Sequence, residues 1–427
     1  AWLKFVQPQG VHSVYRKSFL WLMPVQHDDG KLALRASTKV CVFGSGTFGT
    51  ALGTVIARNG FSVTLLTRRD SVATSINEQH VNPVHLTEKK LPPLLSATTS
   101  AGQALAGVSF IVHCIPVQST SDFLEPLRDL IPETVPLIST SKGIHQDSLE
   151  LMADLVPRAL GRKQPMAFLS GPTFAKELMD SFPSGVVLAA EDDQVRDQCA
   201  ELFHCPSLRV YTTSDVIGVE VGGALKNVYA LAAGAVEGMG LGVNTVAFLV
   251  TRACVEMNML AVKMGARPHT MDGLAGIGDL MLTCMGGASR NKAVGARIGK
   301  GEALESILAS RQQSLDGVAE GVATTPGAER LAQHLGVNAP IISAVAAVLS
   351  GKVGAREAIM SLMVQPRHED FAALPHTLAA GRKDPRCQHD TGRWTWARIP
   401  AGGWAALALC EAVVLFGIFV RSRSHVK

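Results

Sequence analysis

The chain has 427 residues, 47% of them hydrophobic and 18% charged, which is enough to bury a large core and long for one ordinary domain. Its formal net charge is only +4 and no long Lys/Arg run occurs, so composition gives no case for nucleic acid; such a balance suits small anionic ligands. Eight cysteines (Cys41, Cys114, Cys199, Cys205, Cys254, Cys284, Cys387, Cys410) form no CxxC pair and no zinc-like spacing with histidine; they read as buried reduced thiols, and no metal site is expected.

The sequence starts at Ala1 rather than Met and is expected to be a fragment or a processed form. Residues 1–37 carry Lys4, Arg16, Lys17, Ser18, Arg35 and Ser37, with Asp28 and Asp29 as their only acids. This resembles the interior of an organelle transit peptide; an untidy N-terminal extension is the other reading.

Ordered folding is expected from Thr38. Lys39–Phe43 is a short apolar run and reads as a buried strand. The turn Gly44-Ser45-Gly46-Thr47-Phe48-Gly49 follows at once. Residues 50–59 (TALGTVIARN) then read as a helix closing at Gly60. Further strands are predicted at 61–66, at 108–115 up to Pro116, and at 135–139, before Thr140-Ser141-Lys142-Gly143. Residues 166–169 lead into Ser170-Gly171-Pro172, and 186–189 and 208–211 complete the set. Strands alternating with helices imply a Rossmann-type, doubly wound parallel sheet covered on both faces.

From Ser214 the pattern changes. Residues 219–235, 246–263 and 326–349 read as helices rich in Ala, Leu and Val, with no strand pattern among them. The expected plan is therefore an extension (1–37), a dinucleotide-binding α/β domain (38–214) and an all-helical substrate domain (215–365). A polar, Pro/Arg-rich linker, expected to be disordered, follows (366–400). Residues 401–420 (AGGWAALALCEAVVLFGIFV) hold a single charge, Glu411. A bilayer-spanning helix needs ~20 apolar residues, so this stretch qualifies by length. A central glutamate would cost ~3 kcal/mol on insertion scales, and a loosely attached apolar tail is the alternative to a membrane anchor.

A lone G-x-G-x-x-G is weak in a chain with 40 glycines; its position between a strand and a helix is what makes it informative. Gly44 permits the tight turn, Gly46 a close approach of backbone to pyrophosphate, and Gly49 the packing of helix on strand. The helix N-terminus offers unpaired N–H groups to phosphates. The second strand ends Leu65-Leu66-Thr67-Arg68-Arg69-Asp70. A strict NAD binder has an acid there; the two arginines suit a 2′-phosphate or can stack on adenine, so NAD and NADP both stay open.

Lys226 lies in a nearly continuous apolar run (VGGALKNVYALAAGAV). A lysine there must be paired, or desolvated with a lowered pKa, although a snorkelling or ion-paired structural lysine would read the same way. Other unusual polar groups stand at Ser141-Lys142-Gly143, Ser170 to Ala175, Gly276-Ile277-Gly278-Asp279 and Ser289-Arg290-Asn291.

Together these segments resemble the NAD(P)-dependent glycerol-3-phosphate dehydrogenases, the soluble type found in bacteria and plastids. The resemblance covers about residues 38–365. It rests on GSGTFGTAL, STSKGI, LSGPTFAKE, VGGALKNVYALAAG, GLAGIGDLMLTC, SRN and VAEG, in the family's order. It implies that Lys226 is the proton donor/acceptor and that Lys142 lies near both nicotinamide and substrate. It implies substrate contacts at Gly171 and Thr173 and around the glycerol phosphate at Asp279, Ser289, Arg290 and Asn291. Cofactor contacts are implied at Ser45, Thr47, Phe48, Ala175, Val318 and Glu320, again at Arg290, and at Arg68 or Arg69 near the adenosine end. The residue types suit the reaction. Hydride transfer to the carbonyl of dihydroxyacetone phosphate builds negative charge on oxygen, which an ammonium quenches while supplying the proton. Arg290 offers a planar fork to the phosphate dianion.

The resemblance says nothing of residues 371–427. A homodimer through the apolar helical domain is expected, in the plastid or the cytoplasm, with any membrane contact through the tail. Two other readings are a two-domain hydroxy-acid dehydrogenase or ketoacid reductase, which would not need Ser289-Arg290-Asn291, and a catalytically idle dinucleotide-binding or membrane-tethered scaffold.

Overall fold

A computed structural model describes residues 35–314 and 319–364. The expectations for residues 1–34, the linker, the apolar tail and Val318 lie outside these residues.

Eight strands form one sheet: β1 (Lys39–Phe43), β2 (Ser62–Leu66), β3 (Leu95–Thr98), β4 (Phe110–His113), β5 (Leu137–Ser139), β6 (Met166–Ser170), β7 (Ser184–Ala189) and β8 (Leu208–Thr213). The helices between them are α1 (Thr47–Arg58), α2 (Asp70–Gln79), α3 (Ala101–Leu105), α4 (Thr120–Leu124), α5 (Met152–Leu160), α6 (Ala175–Met179) and α7 (Asp193–Phe203). The strand order is β3-β2-β1-β4-β5-β6-β7-β8, so the chain reverses its direction of travel across the sheet between β1 and β4. In such sheets ligands bind at the carboxyl ends of the strands beside that switch point. β1, β4, β5 and β6 are mutually parallel, so the glycine turn and the loops that start at Cys114, Thr140 and Gly171 share this one edge. Both faces are covered, by separate apolar clusters centred on Leu65 and Ile138 on one side and Ile111 and Leu137 on the other.

The sheet is not wholly parallel. β7 runs antiparallel to β6. The only helix between them, α6, has five residues and spans about 7 Å, less than half the length of a five-residue strand, so it cannot carry the chain back along the sheet. β3 was not expected either: it is four residues long, at the sheet edge, with only Leu95 and Ala97 buried. The first helix starts at Thr47, three residues earlier than the apolar pattern indicates, so half of the glycine turn is already helical.

Among the described residues after β8 the α-helices are α8 (Val216–Gly238), α9 (Val243–Lys263), α10 (Asp279–Met285), α11 (Arg290–Gly299), α12 (Leu304–Ser314), α13 (Glu320–His334), α14 (Pro340–Leu349) and α15 (Ala355–Met363). The single helix expected over 326–349 is two. The break falls at Gly336, whose φ is +63°, and α14 restarts with Pro340, which donates no backbone hydrogen bond and suits a first helical position.

α8 and α9 are both long and apolar enough to cross a membrane, but 83% of the most apolar 18-residue stretch of α8 is buried, and the helix forms the axis of the helical core. α11 packs on α8 at backbone distance. A Cβ on Gly234 would stand 2.0 Å from the Lys292 carbonyl oxygen, and one on Gly295 2.0 Å from that of Leu231. Gly238 and Gly299 meet Ala296 and Ala235 in the same way, at 2.1 and 2.2 Å. Only glycine allows this approach, and it sets the first residues of α11 beside Lys226 and Asn227.

Candidate active site

The glycine turn has the shape of a phosphate cradle. Gly44 has φ +100°, and a Cβ there would press on Ile115 and the Cys114 carbonyl. A Cβ on Gly49 would lie 2.2 Å from the Gly44 oxygen, so α1 can close on β1 only with glycine at that position. Gly46, by contrast, faces open space, and no side chain caps the N-terminus of α1. Uncapped N–H groups facing open space fit a dinucleotide pyrophosphate.

Neighbouring groups hold the turn from behind. Ser45 Oγ donates to Thr67 Oγ1 at 2.7 Å. Buried Asn82 donates to the Ser45 carbonyl and to Thr50 Oγ1, each at 2.9 Å, and accepts from the N–H groups of Val84 and His85. His85 Nδ1 lies 3.3 Å from Thr47 Oγ1. Burial lowers the pKa of His85, and the positive charges of Arg69 and Arg290 lower it further. Sequence reasoning passed over Asn82 and His85; Asn82-Pro83 reads only as a turn, and no spacing links it to residue 45. Arg68 and Arg69 are exposed at the end of β2, and Phe48 and Ala175 pack against the same apolar cluster.

At the same edge of the sheet two lysines converge on one carboxylate. Lys226 Nζ is 2.5 Å from Asp279 Oδ1 and Lys142 Nζ 2.6 Å from Asp279 Oδ2. Asp279 is 0% exposed and Lys226 8%. The three come from separate elements. Lys142 follows β5, and Lys226 sits mid-way along α8. Asp279 opens α10 after a single π turn, Leu274–Gly278, which leans on α8 where Gly222 leaves room for the Ala275 carbonyl. Ser170 Oγ approaches Asp279 Oδ2 at 3.5 Å, and the Gly171 carbonyl accepts from Lys142 Nζ at 3.4 Å and from Thr173 Oγ1 at 3.2 Å. Gly171 has φ +138°, a conformation that side chains resist.

The electrostatics follow from burial and this pairing. Burial pushes the Lys226 pKa down; Asp279 pushes it up and Lys142 down again, leaving it at about 8. Burial raises the Asp279 carboxyl, but the two ammoniums outweigh it and hold the group below its usual value. Glu320, half-buried at the start of α13, is raised by burial and held back by Arg290, Lys142 and Lys226, which places it in the same field.

The Ser289-Arg290-Asn291 segment forms the N-terminus of α11. Ser289 caps the helix, its Oγ accepting the Lys292 N–H at 3.2 Å, and Arg290 is exposed. Asn291 turns inward. It donates to Asn227 Oδ1 and accepts the Gly321 N–H, each at 2.9 Å, which ties α11 to α8 and α13. A helix N-terminus with an exposed guanidinium on its first residue is suited to a dianion.

Comparison with known proteins is consistent across the chain. The family described as NAD-dependent glycerol-3-phosphate dehydrogenase N-terminus matches residues 39–196, and the corresponding C-terminus family matches residues 215–360. A chloroplastic glycerol-3-phosphate dehydrogenase [NAD(+)] of Oryza sativa subsp. japonica is 42% identical over 363 residues, 84% of this chain and 82% of that one. A glycerol-3-phosphate dehydrogenase [NAD(P)+] of Leptospira biflexa is 43% identical over 327 residues, 76% of this chain and 97% of that one. Among solved structures, glycerol-3-phosphate dehydrogenase of Coxiella burnetii superposes with a TM-score of 0.72 at 31% identity, covering 77% of this chain and 99% of that one.

Proposed function

The chain belongs to the NAD-dependent glycerol-3-phosphate dehydrogenases, oxidoreductases that interconvert sn-glycerol 3-phosphate and dihydroxyacetone phosphate with NAD(P), and on that premise we propose how its own residues divide the work. The observation that carries the reading is the Lys226–Asp279–Lys142 cluster at the carboxyl edge of the sheet, beside the glycine cradle. Bound NAD(P)H supplies the hydride. Lys226 supplies the proton to the oxygen that becomes a hydroxyl, and a pKa of about 8 lets it give and retake that proton near neutrality. Lys142 adds a second positive charge that favours the developing alkoxide, and Asp279 holds both ammoniums in place. Arg290 and the N-terminus of α11 take the phosphate, with Ser289 beside them. The Gly171 carbonyl and Thr173 border the substrate. The N-terminal N–H groups of α1, with Ser45, Thr47 and Phe48, take the cofactor's pyrophosphate. Arg68 and Arg69 serve its adenosine end; Ala175 and Glu320 complete its surroundings.

Lys226→Ala tests the assignment. It should lower kcat by at least ~100-fold in both directions, the scale of a lost general acid, with NADH binding retained. A rate near that of the unmodified chain would remove Lys226 from the mechanism. Dihydroxyacetone, lacking the phosphate, should be a far poorer substrate than dihydroxyacetone phosphate; equal rates would favour a ketoacid-reductase-like site.

The same reading extends to organisation. Residues 38–214 bind the dinucleotide and 215–365 the substrate, supported by the change from strands to helices between Thr213 and Val216. α9 leaves an apolar stripe including Phe248 and Val255 incompletely covered, which suits a homodimer. Sedimentation at micromolar concentration would decide this. The chloroplastic relative supports a plastid location, testable by organelle fractionation, whereas membrane contact through 401–420 rests only on that segment's composition.

A further inference from the structure

His113 ends β4 fully buried among apolar neighbours, its ring edge-on to Phe43 and Phe123. Its Nδ1 lies 3.1 Å from Ser141 Oγ, and Ser141 Oγ donates its own proton to the Ile115 carbonyl at 2.6 Å. A hydroxyl has one hydrogen, so toward His113 it accepts, and the ring must carry its proton on Nδ1. Nε2 is then a bare acceptor, and no partner for it exists among the described residues. Burial pushes the imidazole pKa down to about 3, so the ring is neutral wherever the protein works and moves no proton itself.

A buried polar atom without a partner is costly, and an apolar side chain would fill this space without that cost. What the imidazole provides in exchange, besides a contact with its own backbone, is a bond to the residue directly before Lys142. The loop is tied to the same strand again by Thr140 Oγ1, which donates to the His113 carbonyl at 3.0 Å. Taking the lysine assignment above as given, we propose that His113 is a positioning residue: through Ser141 it fixes the backbone from which Lys142 reaches Asp279.

The test uses the full chain with His113→Leu, His113→Asn, Ser141→Ala and the Leu/Ala double variant. Asparagine places its Nδ2 where histidine carries Nδ1. His113→Leu and Ser141→Ala should each lower kcat about tenfold, the scale of a lost buried hydrogen bond or a small misplacement of a reacting group. NADH affinity, titrated without substrate, should stay within about twofold, because the glycine cradle is untouched. His113→Asn should recover most of the rate, and the double variant should be no slower than the slower single. Independent losses that multiply, an Asn variant no better than Leu, or a Ser141→Ala variant with unchanged kcat would each overturn the proposal. Ser141→Ala and His113→Asn decide the matter even if His113→Leu fails to fold. The ring ¹⁵N shifts of His113 give a readout separate from turnover: a proton on Nε2 instead of Nδ1 defeats the inference whatever the enzyme's activity. Failure of the unmodified chain to reduce dihydroxyacetone phosphate would instead count against the functional reading.

Discussion

Replacing Asp279 by asparagine should move the working pH of the enzyme rather than merely weaken it. Asp279 meets Lys226 at 2.5 Å and Lys142 at 2.6 Å and is fully buried. Asparagine keeps the shape but presents one oxygen and one NH₂ group, so one ammonium faces a donor. Leaving a buried charge uncompensated costs ~3–5 kcal/mol. Lys226 has a cheaper escape. Its pKa is about 8, so shedding its proton at pH 7 costs only ~1.4 kcal/mol even with Asp279 present. Asp279 is also the group that raises that pKa against burial and Lys142, so its loss moves the value further down. The variant should therefore hold Lys226 as a neutral amine at pH 7. Reduction of dihydroxyacetone phosphate, which needs the ammonium, should fall by ~10-fold or more there, and its alkaline limb should move acid by ~2 pH units or more, the uncompensated cost divided by ~1.4 kcal/mol per unit. The assay is NADH consumption at saturating substrate across about pH 5.5–9.5. A variant profile superposing on that of the unmodified chain, merely lower, would refute the reasoning.

In the unmodified chain the two directions should depend on pH with opposite sign: reduction is flat below about 8 and falls as pH rises through it, while oxidation of glycerol 3-phosphate, which needs the neutral amine, rises through the same value. Parallel profiles would exclude Lys226 as the shared group. Arg290→Lys should raise the KM for dihydroxyacetone phosphate by ~10-fold or more, because a point charge replaces a two-pronged donor, and should leave dihydroxyacetone unaffected. A Arg68→Ala/Arg69→Ala double variant should lose ~10-fold or more in NADPH affinity and little in NADH affinity, measured by fluorescence titration. Gly234→Ala drives a methyl to within 2.0 Å of the Lys292 oxygen and should cost ~3 kcal/mol or more in urea unfolding; a near-normal midpoint would mean that α11 moves aside at little cost.

Buried strands announce themselves because both their faces are apolar, which is why Lys39–Phe43 and the glycine turn after it read clearly. Strand direction carries no such mark: β7 has the same apolar run whether parallel or antiparallel, and only the shortness of α6 reveals which. The helix over 326–349 read as continuous because its apolar residues outweigh Gly336 and Pro340 in its interior. Lys226 stood out as a charge in an apolar run, but its partner is 53 residues away and no local pattern names it. The family motifs supplied Asp279. Asn82, His85 and His113 had neither kind of signal: each acts through contacts that exist only once distant segments meet.

The glycines that join α8 to α11 also work as a gauge. Gly234 and Gly238 on one helix and Gly295 and Gly299 on the other each recur every fourth residue, so the two backbones interlock like teeth of ~6 Å pitch. A slide in either direction would drive a side chain into a carbonyl. The register of α11 against α8, and with it the backbone spacing between Arg290 and Lys226, is therefore fixed. A descendant of this enzyme that came to accept a ketone phosphate one carbon longer could not stretch the frame to fit. It would have to shorten a side chain at one end, and the frame itself would keep its length.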